Sequence, residues 1–379
     1  MSVEFVAGID EVAAAEWNAL LGDRYPFLRH EFLSAAEQTG CVSPETGWQP
    51  RHALLRHRGE RLTAAMPLYE KTHSWGEFVF DWAWAQAYHR AGLDYYPKLV
   101  SAVPFTPAAS PRLLLREGAR PDDAAALIEA AIALAARRGL SSLHVLFPLA
   151  EELPAFEAAG LMLRKDCQFH WHNHDYRSFD DFLATFSSAK RKKARRDRRH
   201  VHEEGIRFRW LRGDQLDAAR WPTVYAMISN TFLRRGAMPY YDLDFFMTVA
   251  SSLPGNVFVV LAERRSKPVA CALFYRDDRT LYGRYWGSES QYNALHFETC
   301  YYQGIDYCIA TGLQCFEPGT QGEHKISRGF VPVATWSAHW MAQPEFGSAI
   351  SRYLREEARH VDRYIATVDS HTPYRKLSP

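Results

Sequence analysis

The chain has 379 residues, 47% of them hydrophobic and 23% charged, with a formal net charge of +1. That length holds two domains of ordinary size, and the near-neutral balance excludes a protein coated in cation for general polyanion binding. No apolar run nears the roughly 18 residues of a membrane span, and the acidic opening MSVEFVAGIDEVAAAEW lacks a signal peptide's basic head.

Residues 1–50 read as helices. Ile9 to Leu21 is amphipathic, and Pro26 opens a segment, FLRHEFLSAAEQTG, that Gly40 closes. RHALLRHR and LTAAMPLYEK then alternate, and Gly59-Glu60 between them signals a hairpin. Residues 75–116 are rich in aromatics and prolines and have no period. An insertion of that composition is expected to wall a pocket, with Tyr95, Tyr96, Lys98 and Phe105 as candidate substrate contacts. DDAAALIEAAIALAARRG is a helix, acids first and arginines last, as the macrodipole favours.

SLHVLFP is a buried strand and GLMLRKDCQFHWHN an alternating one. The latter puts His170, His172 and His174 on one face, a spacing that could ligate zinc. The corresponding His339 later in the chain has no such companions, so no metal is expected. Ser178 caps a basic entry helix over 179–204, with Asp180 and Asp181 in its first turn. Residues 190–199 hold eight Lys or Arg. Cations that dense repel one another unless an anion lies close, which nominates Lys190, Arg191, Lys193 and Arg195 to bind a donor's phosphates.

The last third carries the most chemistry. A strand ends at Trp286, and a helix starts near Leu295. One apolar stripe runs through Phe297, Tyr301, Ile305 and Cys308, and an adjoining one through Glu298, Tyr302 and Asp306. Gly312 stops this helix, and a strand, LQCFEP, opens into a polar loop holding Gln321, Glu323, His324 and Lys325. A polar loop at the carboxyl end of a strand is where α/β proteins place ligands. A final helix covers about Ala349 to Val368. The six cysteines have no CxxC and no framework spacing, which points to reduced thiols and a cytoplasmic location.

The halves repeat each other. ALLRHRGERLTAAMPLY (53–69) aligns without gaps to VVLAERRSKPVACALFY (259–275), an offset of 206. Trp17 parallels Trp221, Gly139 parallels Gly312, and Gly160, His170 and Trp171 parallel Gly329, His339 and Trp340. Four matches in one order imply a tandem duplication, divided as 1–174 and 175–379. The offset falls from 206 to 173 along the way, so the first copy carries about 33 extra residues, which is where 75–116 lies.

Transfer of an acyl group to an amine needs a proton acceptor, donors for the oxyanion and a cradle for the acyl donor. Glu323, His324 and Lys325 offer these types side by side, and His296 and Glu298 are near enough in sequence to join them. Adjacent residues on a strand alternate faces, so two of the three loop residues would share one cleft. Tyr285, Tyr302 and Gln321 are candidate substrate contacts.

Four strings, YYPKL with VPFTP, KRKKARRDRR followed by EEGI, LHFETCYYQGIDYCI and FEPGTQGEHKISRGF, resemble the FemAB-like group of the GNAT superfamily, over nearly the whole chain. The resemblance implies an α/β fold of two tandem GNAT-like domains, mixed sheets flanked by helices. It also implies transfer of an acyl or aminoacyl group, from acyl-CoA or aminoacyl-tRNA, to an amine such as a cell-wall precursor. A lysine near the end of that fold is functional in the group, and Lys325 is its nearest match here. The inserted coiled-coil pair of several Fem enzymes is missing, and so is the GNAT loop that cradles CoA pyrophosphate. The alternative is a non-catalytic module that recognises the cell wall or a polyanion.

Overall fold

Period-two alternation becomes strand wherever the chain carries it. The computed structural model describes residues 2–22, 24–57, 61–290, 292–320 and 322–375. They divide into two compact units, the described residues of 1–167 with 334–364, and those of 168–333 with 365–379. The division expected near 174 therefore falls inside two long strands. Most of the final helix, Pro344–Asp369, belongs to the first unit rather than the second. The reason is packing: Ile350 and Leu354 bury against Trp84, Tyr88 and Tyr95.

In chain order the strands of the first unit are β1 (Ser2–Val6), β2 (Trp48–Pro50), β3 (His52–Arg56), β4 (Leu62–Met66), β5 (Tyr69–Lys71), β6 (Lys98–Ser101), β7 (Leu114–Leu115), β8 (Ser142–Leu146) and most of β9 (Met162–His172). Those of the second are β10 (Ile206–Arg212), β11 (Val257–Arg264), β12 (Lys267–Arg276), β13 (Thr280–Ser288) and β14 (Cys315–Glu317). The end of β15 (Val331–Met341) returns to the first unit. The aligned stretches 53–69 and 259–275 both form central hairpins, in the orders β1-β3-β4-β7 and β10-β11-β12-β13. The turn signal at Gly59-Glu60 lies outside the described residues. Trp17 and Trp221, also paired in sequence, are both buried.

The core of the first unit is built on the helix Asp123–Arg137, whose Leu127, Ile128 and Leu134 meet Leu55, Met66, Leu143 and Val145. Each such side chain gains about 1.5–3 kcal/mol on leaving water. The insertion contributes to this interior while leaving Trp75, Phe80 and Trp82 exposed. It supplies the helix Trp82–Arg90 and β6, which runs parallel to β8 with Leu99 opposite Leu143. Lys98 is fully buried, donating to Ser74 Oγ and Glu77 Oε2 at 2.8 Å each and to Asp81. The Tyr95 hydroxyl donates to Asp81 at 2.6 Å, and the buried Phe105 packs edge-on against Trp48. Tyr96 is half-buried, with its hydroxyl 2.8 Å from Ser74 Oγ. These four expected substrate contacts are thus joined to the unit's own interior.

In the second unit β13 and β14 pair in parallel, which demands a crossover. The crossover is one helix in three parts: Leu295–Phe297, a π-helical turn over Glu298–Tyr302, and Gln303–Thr311. Gly312 ends it in the left-handed region, as expected. β13 also supports the helix Trp221–Leu233. At Gly287 a Cβ would sit 2.2 Å from the Met227 carbonyl carbon, so the backbones touch only because the residue is glycine. The basic segment is two helices, Phe179–Ala184 and Ser188–Glu203, rather than one over 179–204. Phe182 and Phe186 pack on each other across the break, and Ser178 Oγ caps the first helix by accepting from Asp181 N. All six cysteines are free thiols. Among the described residues no helix is long and apolar enough to cross a membrane.

His144 and His339 face each other in the β8–β15 register with their Nδ1 atoms 2.6 Å apart. Burial holds both imidazoles well below their ordinary value, so both are neutral. A depressed folded-state pKa carries stability that is complete above about 6.5 and is lost as the pH falls, at up to about 1.4 kcal/mol per pH unit for each ring. Urea unfolding should therefore show the first unit weakening between pH 7 and pH 5. Replacing both residues, His144→Gln with His339→Gln, should flatten that slope; an unchanged slope would locate the sensitivity elsewhere.

Candidate functional site

The loop after β14 does not continue as strand. It folds into a 3-10 turn, Glu323–Arg328, closed by Gly329, where a Cβ would meet the Phe182 ring at 2.6 Å. The turn replaces strand alternation with a three-residue period. It buries Lys325, 1% exposed, and leaves Glu323 and His324 exposed. Lys325 Nζ donates to the Gly319 carbonyl at 2.6 Å, one acceptor among the described residues for three N–H groups. Burial first, and then the Arg284 charge, bring its pKa down to about 7.

Three neighbours from the sheet complete this group. Arg284 on β13 reaches Glu317 on β14 at 3.4 Å, and His170 on β9 lies 3.5 Å from the other carboxylate oxygen. Burial takes His170 down to about 3, so it is neutral. Burial likewise keeps the Cys300 thiol protonated. The alternating spacing of His170, His172 and His174 suits zinc, but the structure gives His170 to Glu317, with the His172 ring 6.5 Å away. Among the described residues no group of three or more His, Cys, Asp or Glu is disposed to hold a metal.

The π turn aims Tyr301 at the same loop. Its hydroxyl shares a 2.8 Å hydrogen bond with His324 Nε2, and His296 and Phe297 ring the pair at centroid distances of 6.1 and 5.7 Å from His324. His296 is brought down to about 4 by burial and then by His324 and Arg328, and burial lowers His324 too. Arg328 caps the group, lying 3.4 Å over the Phe297 ring and donating to the His324 carbonyl at 2.5 Å.

Other nominated residues point to different neighbours. Glu298 is buried against Arg198 at 3.0 Å and Gln303 at 2.7 Å, and Arg198 also reaches Asp306 at 2.6 Å. Tyr302 donates to Asp197 at 3.4 Å, and Tyr285 packs against Phe246 and Phe232. Glu298 and Tyr302 thus belong with the helix Ser188–Glu203. Gln321 lies outside the described residues. On the basic helix Lys190 and Lys193 are exposed, Arg191 is half-buried, and Arg195 pairs with Asp180 at 2.8 Å. A cavity of about 680 Å³ runs beside Arg191, Lys193 and Arg195.

A family profile described as peptidoglycan biosynthesis/recognition matches residues 8–376. The chain belongs to the FemAB-like family. Among solved structures, FemX superposes with a TM-score of 0.56 at 11% identity, over 93% of this chain and all of its own. A domain ascribed to a lysylphosphatidylglycerol synthetase of Agrobacterium fabrum gives 0.56 at 9% identity, over 90% of this chain and 95% of that one. L-PGS from Bacillus licheniformis gives 0.50 at 12%, over 86% and 96%. At such identities the likeness is one of fold: tandem GNAT-like α/β units, sheets flanked by helices. No curated protein matches the chain significantly.

This FemAB-like chain hides half its site from a sequence reading. Arg284 lies outside the strings that carry the resemblance, and Glu317, Tyr301 and Arg328 lie inside them without being nominated; the available signal was an Arg and a Glu on strands that read as buried. The pair makes a measurable claim. Lys325 should titrate near pH 7 in side-chain NMR, and Arg284→Met should move its midpoint up by removing a repelling charge and freeing Glu317 to attract. A midpoint that stays put would mean burial alone sets it.

Proposed function

We propose that the protein is a transferase of cell-wall synthesis that joins an acyl or aminoacyl group to an amine, with its centre at Lys325. The observation that carries this is the buried Lys325 amine, with one acceptor among the described residues for its three donors. A group so placed is set to receive negative charge that exists only during reaction. The acceptor's ammonium first gives a proton to a base. His324 fits that task, because its lowered pKa keeps it neutral and Tyr301 orients its ring. The free amine then attacks the donor carbonyl carbon, and the electron pair of the C=O bond moves to oxygen beside protonated Lys325. On collapse the carbonyl re-forms as the bond to the donor's sulfur or ribose oxygen breaks. The His324 imidazolium gives its proton to that leaving atom, as a thiol from acyl-CoA or a hydroxyl from aminoacyl-tRNA. The freed imidazole takes the extra proton from the new amide nitrogen.

Both donors carry phosphates, and the cations beside the 680 Å³ cavity, Arg191, Lys193 and Arg195, suit either. Exposed Glu323 is placed to hold the incoming ammonium at the rim rather than to take its proton. His296 orders the aromatic ring around His324.

Labelled acetyl-CoA and charged tRNA, each offered with amine acceptors, provide the assay. Lys325→Ala should lower kcat by about 10²–10³, the usual loss for one oxyanion donor. The pH profile adds a second reading: kcat/KM should fall above about pH 7, as Lys325 gives up its proton. It should also fall at low pH, as His324 gains one. Undiminished turnover by Lys325→Ala would move the chemistry away from this loop.

A further inference from the structure

We propose a second ligand site in the same unit, for a small zwitterion whose primary ammonium lies a few bonds from an anionic group. It does not depend on the transferase reading. The site is a cavity of about 480 Å³ beside the end of the helix Ser188–Glu203. Its floor is Glu298, 3% exposed, presented by the π turn; such turns concentrate at functional positions.

Among the buried side-chain oxygens and nitrogens of the described residues that line the floor, one has no partner. Glu298 Oε1 accepts from Arg198 and Gln303, and the Gln303 carbonyl accepts from Trp210 Nε1 at 2.8 Å. Glu298 Oε2 is buried and has no partner among the described residues. An unmet buried carboxylate oxygen is costly, and a ligand N–H or O–H would satisfy it. Charge selects which. Arg198 is shared between two carboxyl groups, Glu298 and Asp306, whose pKa values burial raises, so neither has a full counter-charge of its own. A primary ammonium supplies both the donor and the missing charge.

The mouth has the opposite character. Arg199, His202 and Arg207 line it and are exposed, Arg199 with a 3.7 Å contact to Glu203. Ile206 and Phe208 give an apolar wall between floor and mouth. A ligand fitting both ends enters ammonium first and leaves a phosphate or carboxylate among the cations. An anion alone would find the mouth but not the floor.

Titration calorimetry of the full chain with phosphoethanolamine, phosphocholine and inorganic phosphate tests this. Phosphocholine keeps the charge of phosphoethanolamine but has no N–H to donate. Phosphoethanolamine should bind at least about tenfold more tightly than either of the others, the worth of one charge-assisted hydrogen bond. Glu298→Gln should remove most of that preference, and Arg207→Ala, on the exposed rim, should weaken binding about three- to tenfold. Thermal unfolding reports whether Glu298→Gln folds; if it does not, Arg207→Ala and the phosphocholine comparison decide. No binding of phosphoethanolamine, equal binding of all three probes, or an unaltered affinity in Arg207→Ala would overturn the proposal.

Discussion

The second unit turns on one buried ion pair, Arg284 with Glu317, at the place where β13 and β14 part company. The two strands pair in parallel from Thr280 opposite Cys315 to Tyr282 opposite Glu317. Beyond that register the chain after Glu317 must leave the sheet, and the guanidinium reaching back to the carboxylate fixes where it leaves. Removing one member of such a pair leaves a buried charge without its counter-charge, a cost of about 3–5 kcal/mol. The arrangement therefore has one stable geometry, and it sets the loop that carries Lys325. It also sets the electrostatics, because the same guanidinium lowers the amine's pKa.

The crossover helix is the second constraint. A regular helix would keep Glu298, Tyr302 and Asp306 in one stripe and Phe297, Tyr301 and Ile305 in another. The π turn over Glu298–Tyr302 adds a residue to one turn and rotates the remainder of the helix. Tyr301 still reaches the loop at His324, while Glu298 and Asp306 still converge on a single arginine, Arg198. One helix thus serves two polar groups at once. Neither could be separated from the other by mutation of the helix backbone.

Much of this was legible in the sequence because it rests on local periodicity. The hairpins at 53–69 and 259–275, the helix Asp123–Arg137, the Gly312 stop and the Ser178 cap each follow from residues a few positions apart. The features that escaped depend on contacts far apart in the chain. His170 meets Glu317 across 147 positions, and nothing local to either marks the pair. The final helix packs with the first unit because its partners, Trp84 and Tyr88, lie in an insertion that has no period of its own. The loop at Lys325 reads as strand-like from its neighbours, yet its positive-φ glycines, Gly322 and Gly329, bracket a helical turn instead. That change of period decides which of Glu323, His324 and Lys325 is buried.

The described residues bury three lysines, Lys71 and Lys98 in the first unit and Lys325 in the second, and Lys98 and Lys325 differ in how fully their donors are met. Lys98 has three donors and three acceptors, Ser74, Glu77 and Asp81, and its carboxylates raise its pKa. Such an ammonium is complete; it joins β6 to the segment before it and has nothing left to offer a substrate. Lys325 has the same three donors but, among the described residues, a single carbonyl acceptor, with a guanidinium for a neighbour and a pKa drawn down to about 7. Burying an amine on those terms costs folding free energy that a hydrophobic residue of similar size would not. The cost is intelligible if the missing acceptors arrive with a ligand, whereas Lys98 shows the same residue type with its acceptors already in place.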